Sequence, residues 1–272
     1  MVSIDSWSVK VCYLEMLFNE QVLSHGTGFL LRMGNPAVSR GSMLITNWHN
    51  VTGRHRETNN CLDEKNAAVP NALRVYFRTA PFKLYDVAPY TVRLYSEDGE
   101  PQWLEHKDED AKVDVVAIPC QLPDGLQITC LNDDLGDGTV MRGFHIGTGS
   151  EVFIIGFPFK LEFQPLPIWK RASVASEPLL AEVHRPPCFY VDTASRPGMS
   201  GSLVVQVANS GIYINSDGDT VVAERGAAQI VGVYSGRINV NSKEDLQLGI
   251  VWPWSVVQNI LQQPRVPKNP HM

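Results

Sequence analysis

Short apolar runs separated by turn residues recur along the whole chain, and this cadence constrains the fold more than any other feature. The first half carries Val9–Leu17, Gly28–Arg32, Met43–Asn47, Arg74–Phe77, Tyr90–Tyr95 and Val113–Ile118. After a polar gap come Glu151–Ile155, Ile168–Ser176, Phe189–Asp192, Ser202–Val207, Gln229–Tyr234 and Leu248–Trp252. Val, Ile, Phe and Tyr dominate these runs, and Gly, Pro, Asn and Asp bound them, as strands require. The one clear helical period is Trp254–Gln263, with Val256, Val257, Ile260 and Leu261 on one face between Pro253 and Pro264. It predicts a short C-terminal helix packed against the last strand. About six strands per half predict an all-β fold of two six-stranded antiparallel Greek-key barrels packed face to face, because closure removes unpaired strand edges.

The loop-like stretch Leu122–Gly149, rich in Asn, Asp and Gly, marks the junction. It divides the chain into a first barrel over 1–130, a linker over 131–150, a second barrel over 151–252, and a helix with its tail over 253–272. At 44% hydrophobic residues the chain can bury a sizeable core and is not disordered. A net charge of −6 without a long basic stretch argues against nucleic acid as a partner. No run of about 20 apolar residues could span a membrane, and Asp5, Lys10 and Glu15 interrupt any N-terminal signal segment. Five cysteines, an odd number without a C-x-x-C pair, predict neither a disulfide framework nor a zinc ribbon. Reduced thiols, a cytoplasmic location and no metal or cofactor are the expectations. The acidic run Glu105–Asp110 reads as a solvated loop; His55, His106, His145, His184 and His271 read as loop residues, exposed by default, and His25, preceding Gly26, as part of a turn.

One segment carries chemistry: Asp192-Thr-Ala-Ser-Arg-Pro-Gly-Met-Ser-Gly-Ser-Leu-Val-Val205. Its Gly-x-Ser-Gly core lies on a tight loop before an apolar strand. Gly198 can turn its N–H inward, and the N–H groups of Gly198 and Ser200 could form an oxyanion hole, one donor of which is worth about 3–4 kcal/mol in a transition state. An ordinary β-turn is the competing reading. A strand, not a helix, follows, which excludes the nucleophile elbow of α/β-hydrolases. A serine nucleophile needs a base, and the base an orienting partner. His49 ends the run Met43-Leu-Ile-Thr-Asn-Trp-His-Asn-Val51, and Asp114 precedes the apolar Val115–Ile118. A loop histidine and a solvated strand-entry acid are the blander readings, with Asp108 and Asp110 as competing acids.

These segments, in the order His, Asp, Ser, resemble the trypsin-like (chymotrypsin-fold) serine peptidases, closest to the HtrA/Deg-like and bacterial cytosolic branch. Thr46-Asn47-Trp48-His49 resembles that family's histidine motif, and Asp114-Val-Val-Ala-Ile its aspartate element. Asp192–Ser202 resembles its serine loop. Phe153-Ile-Ile-Gly-Phe-Pro158 resembles the strand opening its second barrel, and Ile230–Arg237 the strand lining its specificity pocket. The likeness spans about residues 4–263. It implies a serine endopeptidase with no cofactor, acting on polypeptides. Ser200 would be the nucleophile, His49 the general base, Asp114 its orienter, and the Gly198 and Ser200 N–H groups the oxyanion hole. It also implies a substrate pocket with its base near Ala194 and Ser195 and walls from Tyr234, Ser235 and Gly236, favouring small or medium apolar side chains.

Three departures matter. Met199 replaces an acid that digestive relatives pair with a newly cut N-terminus, so activation by such cleavage is not expected. Ser202 replaces a commoner Gly and could narrow the space beside the oxyanion hole. No PDZ-like module follows the terminal helix. The rival functional reading is a catalytically silent double-barrel module that binds peptides or proteins, with insertions such as Arg54–Pro70 or Gly211–Arg225 covering the cleft. A peptidase held latent until a regulatory protein partner or ligand orders its loop is the intermediate case.

Overall fold

Strand side chains alternate in direction, so an apolar run without alternation must bury both faces. The computed structural model, which describes residues 4–34, 41–63, 67–78, 87–121, 128–133, 143–161, 164–194, 196–224, 226–237 and 247–271, shows where each face goes. The first half forms β1 (Val11–Phe18), β2 (Gln21–Arg32), β3 (Gly41–Thr46), β4 (Ala72–Arg78), β5 (Val87–Arg93) and β6 (Val116–Gln121). They make one antiparallel sheet in the order β5-β4-β1-β2-β3-β6. Leu104 bridges to Ala117 of β6 through N–H···O bonds of 2.8 and 3.0 Å, and so carries the chain beyond β5 back to the opposite edge. The second half forms β7 (Glu151–Gly156), β8 (Ile168–Val174), β9 (Phe189–Asp192), β10 (Leu203–Ala208), β13 (Ala227–Arg237) and β14 (Leu248–Pro253). These close into a barrel in the order β10-β13-β14-β9-β8-β7. A separate hairpin, β11 (Ile212–Ile214) with β12 (Thr220–Val222), lies outside it.

Cys12, Leu14 and Met16 of β1 fill the first half-barrel, whose sheet stays open where the second closes, while Val11 and Tyr13 face the other lobe. In β10, Val204 fills the second barrel, while Leu203 and Val205 face outward to the shared core. That shared core joins Phe29, Ile45 and Val115 to Ile155, Phe157, Ile230 and Trp252. Each such side chain contributes about 1.5–3 kcal/mol when fully buried, so the lobes are held together by a core as apolar as either interior.

After the short α1 (Trp48–Thr52) and α2 (Leu180–Val183), the expected terminal helix is α3 (Trp254–Gln262), burying Val256, Val257 and Ile260. It does not pack mainly on the last strand. It lies against β13 and β6, one from each lobe, because its apolar face completes the shared core. The tail then returns to the first lobe, where Arg265 and Glu105 exchange backbone bonds of 2.9 and 3.0 Å. No helix among the described residues is long and apolar enough to cross a membrane. The linker segment 134–142 lies outside the described residues.

The solvated reading of Glu105–Asp110 fails at its first two residues. Glu105 is 3% exposed and His106 8%. The Glu105 carboxylate accepts from Trp48 Nε1 at 2.8 Å, Trp103 Nε1 at 3.0 Å and the guanidinium groups of Arg56 (3.2 Å) and Arg265 (2.5 Å). Four donors explain how an acid can be buried here, whereas an unpaired one would be expelled. We expect Glu105→Gln to lower the unfolding free energy by roughly 3 kcal/mol, since it strips a buried acid from two arginines. Urea denaturation checks this, and a loss below about 1 kcal/mol would mean the site behaves as a surface pair.

Candidate active site

β3 ends at Thr46, and the chain turns through Asn47 into the short helix α1 (Trp48–Thr52). Asn47 Nδ2 donates to the Asp114 carbonyl at 2.7 Å, fixing the turn to the segment before β6. The His49 backbone N–H then meets Asp114 Oδ1 at 2.9 Å, and His49 Nδ1 lies 2.7 Å from Asp114 Oδ2. Ser235 Oγ donates to the same Oδ2. A carboxylate ringed by donors holds the imidazole proton on Nδ1 and leaves Nε2 with its lone pair. The competing acids stand elsewhere: Asp108 pairs with Arg185 at 2.9 Å, and Asp110 is exposed.

The Ser200 loop comes from the other lobe and is fixed by β2. Thr27 is fully buried. Its N–H donates to the Ser200 carbonyl at 2.8 Å, and its hydroxyl donates to the Gly198 carbonyl at 2.9 Å while accepting the Phe157 N–H at 3.0 Å. Nδ2 of Asn50, the residue after His49, reaches the Ser200 carbonyl at 3.4 Å. Gly198 sits at φ +91°, and a Cβ there would come within 2.3 Å of the Phe157 carbonyl oxygen, so only glycine fits. Met199 N–H, Gly201 N–H and Ser202 N–H are bonded to Arg196, Tyr234 and Met199 carbonyls. Among the described residues, the N–H groups of Gly198 and Ser200 have no such partner and remain able to donate. No hydrogen bond joins the His49 ring to the Ser200 hydroxyl among the described residues; such contacts are often long without substrate and tighten when it binds.

The other named residues separate. Ser195 lies outside the described residues, and Ala194 is exposed. Gly236 is beside Ser200, its missing Cβ 3.8 Å from Ser200 Oγ. Ser235 turns its hydroxyl to Asp114, and the Tyr234 ring is buried among the residues that fill the second barrel. Ser202 is fully buried, and its Oγ points at Gly156, where a Cβ would lie 1.9 Å away. It therefore does not narrow the space beside the two N–H groups. Of the two insertions, Gly211–Arg225 forms the β11–β12 hairpin, with Tyr213 stacked on Phe144 at 4.1 Å, beyond the end of β10 remote from Ser200. In Arg54–Pro70, the Arg56 guanidinium lies 4.5 Å over the Trp48 ring, while Glu57 faces Cys188 of the other lobe. Burial, reinforced by the nearby Glu57 carboxylate, pushes the Cys188 thiol up to about 11, which makes it a poor competing nucleophile. All five cysteines are free. Among the described residues, no group of three His, Cys, Asp or Glu side chains could hold a metal ion.

Sequence reasoning missed Thr27, Asn50 and the contact of Ser235 with Asp114. Thr27 had a signal: a lone hydroxyl between Gly26 and Gly28, where both glycines admit close neighbours. It also missed His25, which stacks on Tyr13 at 5.9 Å with its ring edge 2.7 Å from the Cβ position that Gly198 lacks. Burial, then the Lys160 charge, lowers the His25 pKa, and Glu15 opposes them.

Thr27→Val keeps the shape but strands the Gly198 carbonyl and Phe157 N–H. We expect about 1–3 kcal/mol lost for each group, read by urea denaturation. Since the fold favours the neutral His25 ring, its contribution is complete above the ordinary value of 6.5 and is lost as pH falls below that value. The melting temperature of the native protein should therefore fall more steeply between about pH 7 and 5 than that of His25→Phe. Parallel curves would show that the ring does not titrate with folding.

No family model matches the chain, and no curated protein matches it in sequence. Similar solved structures include the active form of the Rv3671c protease from M. tuberculosis, 16% identical over 97% of this chain and 84% of that one, with a TM-score of 0.46. Deg5 is 15% identical over 92% and 86% of the two chains, at 0.47. A serine endoprotease from Yersinia pestis is 13% identical over 96% and 67%, at 0.46. The structural neighbours of this chain thus include Deg-type and Rv3671c proteases, at identities that concern the course of the chain alone.

Proposed function

We propose that the chain is a trypsin-like serine endopeptidase that cleaves polypeptides through an acyl-enzyme. One observation carries the reading. A histidine oriented by a buried carboxylate stands on one lobe, and the other lobe presents a serine on a loop with two adjacent N–H groups left able to donate. A β-turn with no chemical role has no need of either feature.

Ser200 Oγ attacks the scissile carbonyl carbon as His49 Nε2 takes its proton. The carbonyl oxygen becomes an oxyanion, and the N–H groups of Gly198 and Ser200 bind it. The C–N bond breaks, and His49 returns the proton to the leaving amine. Water then attacks the acyl-enzyme by the same proton relay, freeing the new carboxyl end and restoring Ser200. Asp114 holds the His49 tautomer and stabilises the imidazolium. Asn47 and Ser235 hold Asp114 in turn, through its carbonyl and its carboxylate.

Labelling with a fluorophosphonate probe tests the site. The adduct should map to Ser200 by mass spectrometry, and Ser200→Ala and His49→Ala should abolish it. Asp114→Asn should slow peptide cleavage by about 10⁴-fold while the fold persists. A well-folded protein that takes no label would favour the silent binding module.

A further inference from the structure

The geometry points to Tyr234 as the residue that sets which peptide bond is cut, restricting the cleaved position to glycine or alanine. This rests on the peptidase reading above. Three directions around Ser200 are assigned. His49 takes the leaving-group side. His25 and the Phe157 carbonyl crowd Gly198 on another, each within 2.7 Å of its absent Cβ. The third is β13, which brings Gly236 within 3.8 Å of Ser200 Oγ by the same measure. The side chain next to the scissile carbonyl must therefore extend along β13 toward β14.

That space is occupied from within. β13 and β14 pair at Tyr234↔Val251 and again at Arg237↔Gly249, with a register shift between them. The Tyr234 ring lies across Gly249, where a Cβ would fall 2.3 Å from Cε2, 2.8 Å from Oη and 2.9 Å from Cζ. Gly249 in turn pairs with Val191, one residue before the segment that runs to Ser200. The ring is only 1% exposed and shares its cluster with Met199, the residue preceding the nucleophile. A phenol side chain and a thioether thus plug the barrel end that a large substrate side chain would have to enter. The backbone of Tyr234 cannot move aside easily. Its carbonyl accepts the Gly201 N–H and its N–H donates to the Ser202 carbonyl, each at 2.9 Å. Gly236 leaves room beside Ser200 for substrate backbone, and the ring over Gly249 fills the space beyond it, so the site accepts substrate backbone and little beyond a methyl group.

The test uses Ser200→Ala protein, which needs no catalysis, and acetylated hexapeptides that differ only in a C-terminal Gly, Ala, Leu, Phe or Arg. These mimic the acyl half of the product. Calorimetry should show Gly and Ala binding at least tenfold tighter than the other three. Tyr234→Val in the same background, chosen because a β-branched residue suits the strand, should bring Leu level with Ala. A melting curve for each variant, with Tyr234→Leu as the alternative should Val not fold, keeps the comparison interpretable. Equal or tighter binding of Leu, Phe or Arg by the Tyr234 protein would overturn the proposal, as would no binding of any peptide. Probe labelling of Ser200 reports separately on the peptidase reading. Its failure alongside a Gly/Ala preference would sink that reading and leave the pocket assignment standing.

Discussion

The architecture hangs on a single buried hydroxyl. Thr27 belongs to the first lobe, yet three of its hydrogen bonds go to the second: to the Ser200 and Gly198 carbonyls and from the Phe157 N–H. Its own carbonyl accepts from Thr46 Oγ1 at 2.8 Å, at the end of the strand that leads to His49. His49 and Ser200 are thus registered through one residue's backbone and side chain. A buried polar group is stabilising only when satisfied. Here every group on Thr27 is used, so relative rotation of the lobes would break several bonds at once. Close approach enforces the same register, since a Cβ at Gly201 would lie 2.0 Å from the Thr27 carbonyl oxygen.

Apolar packing supplies the energy that this register directs. The outward faces of β1, β2 and β3 and those of β7, β10 and β13 make one continuous core with α3. Hydrophobic burial is non-directional and would tolerate several relative positions of the lobes. The polar contacts at Thr27, Asn50 and Ser235 select one of them.

This division explains what could be read in the sequence. Period and turn chemistry are local, so the strands around Val11, Ile45, Ile154, Val204 and Val251 and the helix after Pro253 were legible. The segments at His49, Asp114 and Ser200 could be picked out as candidates because each is contained in a few consecutive residues. What was not legible depends on partners far along the chain. Glu105 looks solvated until Arg56, Arg265, Trp48 and Trp103 surround it. Ser235 looks like a pocket wall until Asp114, 121 residues away, claims its hydroxyl. The β11–β12 hairpin was hidden because three-residue strands leave too short an alternation to detect.

The latch between Arg265 and Glu105 makes the support of the His49 turn depend on one of the last segments of the chain to be made. Trp48, adjacent to His49, is held by Glu105, and the Arg265 that completes the cluster stands 160 residues further along from that acid. Ser235 and Ser200 are also made long after His49 and Asp114. The first lobe therefore leaves the ribosome with the His49 turn only partly supported, and His49, Asp114 and Ser200 reach their final arrangement after the second barrel has closed and the tail has folded back. The alignment of His49, Asp114 and Ser200 becomes a property of the finished tertiary structure, and a chain interrupted before this return would carry all three side chains without the frame that aligns them.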